Sequence, residues 1–496
     1  MITTPTPKNH KTFLLLFFFL LTFTGNAQIG IGTVTPNASS ILDISSTTQG
    51  MLAPRMTTAQ RNAIASPADG LMVYDTDLKT FYFYVSTTTS WTPVNSTASR
   101  LNFKRIKSTD VLATVLAAEL AAGGGSKYIL DSNTVYEING LITFNFPIDL
   151  NNAYVEGLDA NGDIIRRTTG NIFEGTTGGT IKNVTLIATA GLVFNLTASS
   201  NAQNFLLRDT IIANSNTVGT LSGFGLVFIS IVQFSGNANG LTYNNIDSLL
   251  LSNLAWFGNN TGTFEKLTGT FTQVQKQGGF SSVNGTAIGF DVSTSGLTVT
   301  DGDLETVVFT GTNTTGYVKP YTTGTYTGYS FTNNWTARST GIPTESDTNA
   351  TGDFSMDYPV GSGLGVTFNS SNPSNIVKVG SGTPSTTYSN LFRFSTDPSV
   401  NRIKYVGKKK RIFLITGSIS FQVPAAGTYI IYIYKNGTAL SQYKIYGRGA
   451  AVNDIVVLPL NATAELTTND YIEVFAQRYS GSNGDIVVPN MTLTLK

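Results

Sequence analysis

Residues 181–188, Ile181-Lys182-Asn183-Val184-Thr185-Leu186-Ile187-Ala188, return about 25 residues later as Leu207-Arg208-Asp209-Thr210-Ile211-Ile212-Ala213. Looser echoes follow at Phe228-Ile229-Ser230-Ile231-Val232 and at Ile246-Asp247-Ser248-Leu249-Leu250. Short apolar clusters at a period of about 20–25 residues, with Asn and Gly between them, predict a β-solenoid. One coil cannot bury its own apolar side, but stacked coils share a core. A helical stretch, Ser108 to Ala122, is apolar on one face through Val111, Leu112, Val115, Leu116 and Leu120. Gly123-Gly124-Gly125 stops it, and it is placed to cap the open end of the solenoid. An antiparallel sandwich is the competing arrangement for this region.

Composition narrows the chemistry. The chain has no cysteine, and its one histidine is His10. Beyond that residue there is no imidazole base, no Ser-His-Asp or Cys-His nucleophile and no thiolate metal site. Carboxylates, hydroxyls, amides, guanidinium groups and aromatic rings remain. Charged residues are 12%, about half the usual share. The formal charge is +1, and removing Lys8 and Lys11 takes it to −1. No global field draws the protein to nucleic acid or anionic lipid.

Lys8, His10 and Lys11 precede an apolar run from Phe13 to Phe23, followed by Gly25-Asn26-Ala27. That is the pattern of an export signal cleaved after Ala27. The run is too short to span a bilayer, which takes about 20 apolar residues, and no later stretch is long enough. The expected location is the cell surface or the extracellular space.

The remaining organisation follows from local signals. In 28–100, Thr57 caps a short helix through Ala65, with Pro67 beyond it. Leu71-Met72-Val73-Tyr74 and Phe81-Tyr82-Phe83-Tyr84-Val85 form a hairpin. Residues 101–320 are the capped solenoid. Residues 321–387, rich in Thr, Ser, Gly and Asn, read as a connector. In 388–496, runs such as Ile412 to Val423, Tyr429 to Tyr434 and Ile455 to Leu460 alternate with period two. Asn436-Gly437 is a hairpin turn, and the region predicts a jelly-roll sandwich. The fold class is therefore all-β: a parallel β-helix followed by an antiparallel jelly roll, with a small N-terminal module.

Three stretches resemble known families. The phrases IGIGT-x-TP near Ile29, PRMTTAQR at Pro54 and GL-x-VYDTD at Gly70, with Trp91, resemble an N-terminal module of secreted surface proteins of Bacteroidetes-type bacteria. Related wording occurs in collars of phage tail fibres. Tyr128 to Gly157 resembles the first coils of right-handed parallel β-helix proteins of the pectin-lyase type. The phrases NRIKYVGKKKRIFLITGSISFQVPAAGTYIIYIYKNG and ELTTNDYIEVFAQR resemble C1q/TNF-like domains. These likenesses imply a surface-displayed homotrimer with a ligand-binding head, laid out like a phage tail spike. Export by a signal argues against a virion component.

Candidate sites are few. Asp209 and Asp247 lie in echoing coils, where equivalent positions stand about 4.8 Å apart. Asp301, Asp303 and Glu305 alternate, so a strand puts them on one face. Paired carboxyl groups are the requirement of glycoside hydrolysis; the bland reading is Asp at turns and solvated edges. Tyr317, Tyr321, Tyr326, Tyr329, Phe331 and Trp335 crowd together, and aromatic faces among amides and hydroxyls suit sugar rings. The bland reading, the favoured one, is that they pack as hairpin partners where the solenoid meets the connector. Lys408, Lys409, Lys410 and Arg411 form the main basic run, either an anion site or a solvated loop. No metal-ligand cluster or cofactor motif is present. The expectation is a structural, adhesive and non-enzymatic protein, a trimeric stalk presenting a head for glycan or protein ligands. The alternative is a polysaccharide lyase or hydrolase using solenoid carboxylates.

Overall fold

A computed structural model of the chain describes residues 28–94, 102–368, 376–380, 386–397, 400–481 and 484–496. The export-signal reading, His10 included, lies outside them. The chain divides between residues 100 and 101 into two compact units. No helix among the described residues is long and apolar enough to cross a membrane.

In the first unit, Ile29–Ile31 pairs in parallel with Leu42–Ile44. A separate sheet orders Arg55–Met56, Met72–Asp75, Thr80–Val85 and Ser90–Pro93 side by side. Thr57 and Gln60 form a capping box at the start of the helix Thr58–Asn62. Arg61 is buried, 3.2 Å from Asp75 and over the ring of Tyr82. The unit covers few of its own apolar side chains. Val34 is 98% exposed, Ile41 and Leu52 80% each, and Ile29 and Ile31 more than half.

The second unit begins with a β-solenoid of about seven turns, running from Phe103–Lys107 to Trp335–Thr340, all its strand pairs parallel. One inward ladder runs through Tyr136, Val155, Ile181, Leu207, Ile229, Leu251, Lys276, Leu304 and Ala337. The echoes at 207–213 and 228–232 match this register. The echo at 246–250 does not, because Ile229 pairs with Leu251. Leu241–Trp256 turns corners at Asn245 and Asn253, with φ of 50° and 53°, and its inward phase steps at each.

The corners are built from residues in the left-handed conformation. Asn183, Asp209, Ile231, Asn253, Gly278 and Thr306 stack in register, with φ of 54°, 50°, 55°, 53°, 66° and 57°. A second corner is a buried ladder. The Ser215 N–H donates to Asn237 Oδ1 and the Asn237 N–H to Asn260 Oδ1, which satisfies backbone groups that water cannot reach. The expected N-terminal cap is present but broken. Leu112–Val115 and Ala117–Ala122 are separate short helices, because Leu116 leaves helical geometry to bury its side chain on the first coils. Val111, expected on the apolar face, is exposed.

One coil carries a charge pair in its interior. Glu265 and Lys276 both occupy inward positions of Thr263–Ser282 and meet at 2.8 Å, 0% and 1% exposed. The Lys276 ammonium lies 5.0 Å from the Phe264 ring centroid. Burial pushes the Glu265 carboxyl up, and Lys276 opposes that.

The head is a sandwich of two antiparallel sheets. One orders Thr387–Phe392, Thr351–Asp357, Ile486–Leu495, Arg411–Gln422 and Ile455–Leu466. The other orders Phe394–Asp397, Arg402–Tyr405, Tyr471–Gly481 and Gly427–Lys435, with Ile445–Gly449 on the last. Asn436 and Gly437 turn the hairpin at φ of 51° and 75°.

The reading of 321–387 as a connector needs correction. Trp335–Thr340 is the last solenoid strand, and Thr351–Asp357 is an interior strand of the head. Phe354 and Met356 bury alternately with polar Asp353 and Ser355. Two inward side chains in a Thr/Ser/Gly-rich background are enough for a strand but too few to register as composition.

Lys276→Met strands Glu265 unpaired in an apolar core, and we expect it to cost about 3–5 kcal/mol in urea denaturation. Lys276→Met with Glu265→Leu should recover most of that loss. A double variant as unstable as the single one would show that the cost lies in packing rather than in the orphaned charge.

Candidate functional site

The strand Thr298–Thr310 places Gly302 and Leu304 inward and Asp301, Asp303 and Glu305 outward. Gly302 is required there: a Cβ would stand 2.2 Å from the Trp335 indole that packs over it. On the neighbouring coil, Gln273, Gln275 and Gln277 stand in register with the three acids. On the other side Thr336 and Arg338 pair with Asp303 and Glu305. The outer face therefore carries a row of carboxylates beside a row of amides.

Asp301 is exposed and 3.3 Å from Lys408 Nζ, which also donates to the Thr300 and Asn334 carbonyls. Glu305 is 3.7 Å from Arg338. Asp303, between them, is half-buried, and its Oδ1 has no hydrogen-bond partner. Burial, then the like charges of Glu305 and Asp301, push its carboxyl above the ordinary aspartate value; Lys409 and Arg338 offset part of this. The three acids, Asn333, Asn334, Lys408 and Lys409 line a cavity of about 180 Å³. An acid biased toward its protonated form beside ion-paired carboxylates is an arrangement for proton transfer. Among the described residues no three His, Cys, Asp or Glu side chains converge as a metal site requires.

The other carboxylate pair is not brought together. Asp209 belongs to the left-handed corner stack, next to its own neighbour Arg208 at 3.8 Å. Asp247 lies at another corner, where it accepts from the Asn201 amide at 3.0 Å. Both are exposed. Asp209 stands in register with Ile231 and then Asn253, so its stack reaches the coil of Asp247 at a different residue.

The aromatic cluster divides in two. Trp335 and Tyr321 are buried at the solenoid's end, where the indole N–H donates to the tyrosine oxygen at 3.0 Å. Tyr326 and Tyr329 remain half-exposed against Phe392 of the head, at centroid distances of 5.3 and 4.3 Å.

The basic run joins head to solenoid. Besides Lys408, the Lys409 N–H donates to Asp347 Oδ2 at 2.7 Å, and Arg411 donates to the Asp347 carbonyl. The Lys409 and Lys410 side chains are exposed, Lys410 at 3.3 Å from Glu465. The residue that closes the seam, Arg393, gave no signal in the sequence. It is 1% exposed, adopts φ of 61°, and donates to the Trp335 carbonyl at 2.5 Å and to Asn333 Oδ1 at 2.9 Å. Its Nε lies 3.2 Å from Asp347. A lone arginine between Phe392 and Phe394 has no motif to mark it.

Residues 30–109 match the family model described as "Phage tail like trimerisation region". No curated protein matches the chain. Among solved structures the chain is similar to the Eiger TNF of S. frugiperda, at 10% identity and a TM-score of 0.18, over 27% of this chain and 91% of that one. It is also similar to the enzymatically active domain of tailspike protein 4 of bacteriophage CBA120. That likeness has 10% identity and a TM-score of 0.21, over 90% of this chain and 78% of that one. That neighbour is described as enzymatically active, which stands against the expectation of a non-enzymatic protein. A likeness at this level transfers no residue or chemistry, so the acting groups have to be argued from the cleft.

Arg393→Met removes the partner of a buried Asp347, and we expect a loss of about 3 kcal/mol in chemical denaturation. Lys410→Ala breaks a solvated pair and should leave the denaturation midpoint nearly unchanged. Equal effects would refute the seam assignment.

Proposed function

We propose that this chain is a homotrimeric, exported β-solenoid protein that cleaves polysaccharide at the Asp301–Asp303–Glu305 cleft. The carrying observation is Asp303: half-buried, flanked by two like charges, with one carboxyl oxygen unpartnered. Asp303 is the general acid, protonating the glycosidic oxygen as its bond to the anomeric carbon breaks. Glu305 takes a proton from the attacking water, whose oxygen bonds to that carbon. Outward residues two apart on a strand are separated by about 7 Å, within the roughly 6.5–9.5 Å of inverting enzymes. The glutamine row supplies donors and acceptors for sugar hydroxyls. Asp301 adds its charge to the burial and the Glu305 charge that raise the Asp303 carboxyl.

Trimerisation is supported by the exposed Ile29, Ile31, Val34, Ile41 and Leu52 and by the family match, which includes all but the first of them. Two further copies would cover these side chains, which a monomer leaves in water. Export rests on the leader pattern ending at Ala27.

Reducing-end release from a polysaccharide panel tests the chemistry. Asp303→Asn and Glu305→Gln should each lower the rate about 10²–10⁴-fold. The active form needs Asp303 protonated, so activity falls as pH rises through its raised pKa. Asp301→Asn removes one like charge, lowers that pKa and moves the alkaline limb to lower pH. Full activity in Asp303→Asn, or an unmoved limb in Asp301→Asn, defeats the assignment. Mass in solution tests assembly: three chains per particle are expected, and a monomer refutes the trimer.

A further inference from the structure

A larger cavity, about 790 Å³ in volume, lies between the loop of residues 325–329 and the head segment 388–392. Its floor is aromatic. Tyr329 stacks on Phe392 with ring planes 28° apart, and Tyr326 meets the same ring nearly edge-on. Its rim is uncharged and polar, formed by Thr325, Thr327 and Asn390. No lysine, arginine, aspartate or glutamate lines it. The nearby Asp353 carboxylate is taken up by the Asn390 amide. Asn390 and Arg393, at either end of the head segment under the rings, both hold positive φ, of 50° and 61°. Strain of that kind persists only where surrounding contacts fix the backbone, and Arg393 is fixed by the seam.

We propose that this cavity is a second, non-catalytic site that binds a neutral polysaccharide chain by stacking sugar rings on Tyr329 and Tyr326. Three features select that ligand. Aromatic faces take the C–H side of a pyranose, while hydroxyls and an amide at the rim take its hydroxyls. An uncharged lining desolvates a neutral sugar cheaply and an anionic one at a cost. The volume lies in the range of sites that enclose small molecules, leaving room for a short run of sugar units. Asn333 links the two sites: its side chain lies against the Tyr326 hydroxyl and also lines the acid cleft. The binding itself does not depend on cleavage at that cleft.

The test uses the full chain carrying Asp303→Asn, so that binding is read without turnover. Affinity electrophoresis is run in gels containing laminarin, xyloglucan, galactomannan or starch, with alginate as the anionic comparison. Retardation by at least one neutral polymer is expected, with the dissociation constant raised at least tenfold by Tyr329→Ala. Because Tyr329 packs on the head, Thr327→Trp serves as the second variant. It fills the exposed rim without removing a buried contact and should abolish retardation with an unchanged melting temperature. No retardation by any neutral polymer, or retardation unaffected by Thr327→Trp, overturns the proposal. Thr327-sensitive binding, together with no release of reducing ends by the chain with Asp303 intact, defeats the catalytic reading and leaves this site standing.

Discussion

Every coil of the solenoid must offer its neighbours apolar side chains at the same inward positions. The ladder from Tyr136 through Ile181, Leu207, Ile229 and Leu251 to Ala337 meets that constraint. Inward residues fix the pairing register, pairing fixes the outward rows, and the outward rows decide which polar groups stand together. Asp301, Asp303 and Glu305 face out only because Gly302 and Leu304 face in. Lys276 and Glu265 show how strict the rule is. Each stands at an inward position, and the core accepts their charges only because they meet across the same coil.

Much of this could be read from the chain, and the misses have physical causes. The echo of 181–188 in 207–213 is visible because both segments begin just before a corner, at Asn183 and Asp209. In Leu241–Trp256 two corners, at Asn245 and Asn253, fall within one strand, so the inward phase shifts over a short stretch. The hairpin at Asn436-Gly437 is legible because only a few residue types tolerate two successive positive φ values. Thr351–Asp357 is not, since Phe354 and Met356 are isolated among polar residues. In the site, the spacing of Asp301 and Asp303 is local and could be read. Arg393, Asp347 and Glu345 act through tertiary contacts, and one residue in isolation has no spacing to reveal it.

The seam between solenoid and head makes both cavities depend on the same few groups. Arg393 comes from the head, yet it donates to Trp335 and Asn333 at the end of the solenoid. Lys408 comes from the head and bonds to Thr300, Asp301 and Asn334. Glu345 is buried beside them and accepts from the Ser330 and Phe331 N–H groups, which fixes the loop carrying Tyr329. Lys408 and Arg411 of the basic run are thus matched to internal acceptors, while the Lys409 and Lys410 side chains face solvent. A cation run in a sequence says that positive charge is needed somewhere, and the fold decides whether its counter-charge is a ligand or the protein itself.

The absence of histidine from 28 onward acquires a physical meaning at this point. Proton transfer near neutral pH requires a group whose affinity for protons is raised toward that range, and an ordinary aspartate is far below it. Asp303 differs from Asp209 and Asp247 in surroundings, not in chemistry. The strand period sets a like charge two residues away on each side, and the head covers part of its surface. Asp209 at a solvated corner has neither. Among carboxylates of identical type, position in the coil and closeness to the seam are what separate a candidate acid from a turn residue. Both follow from the register that the inward ladder imposes.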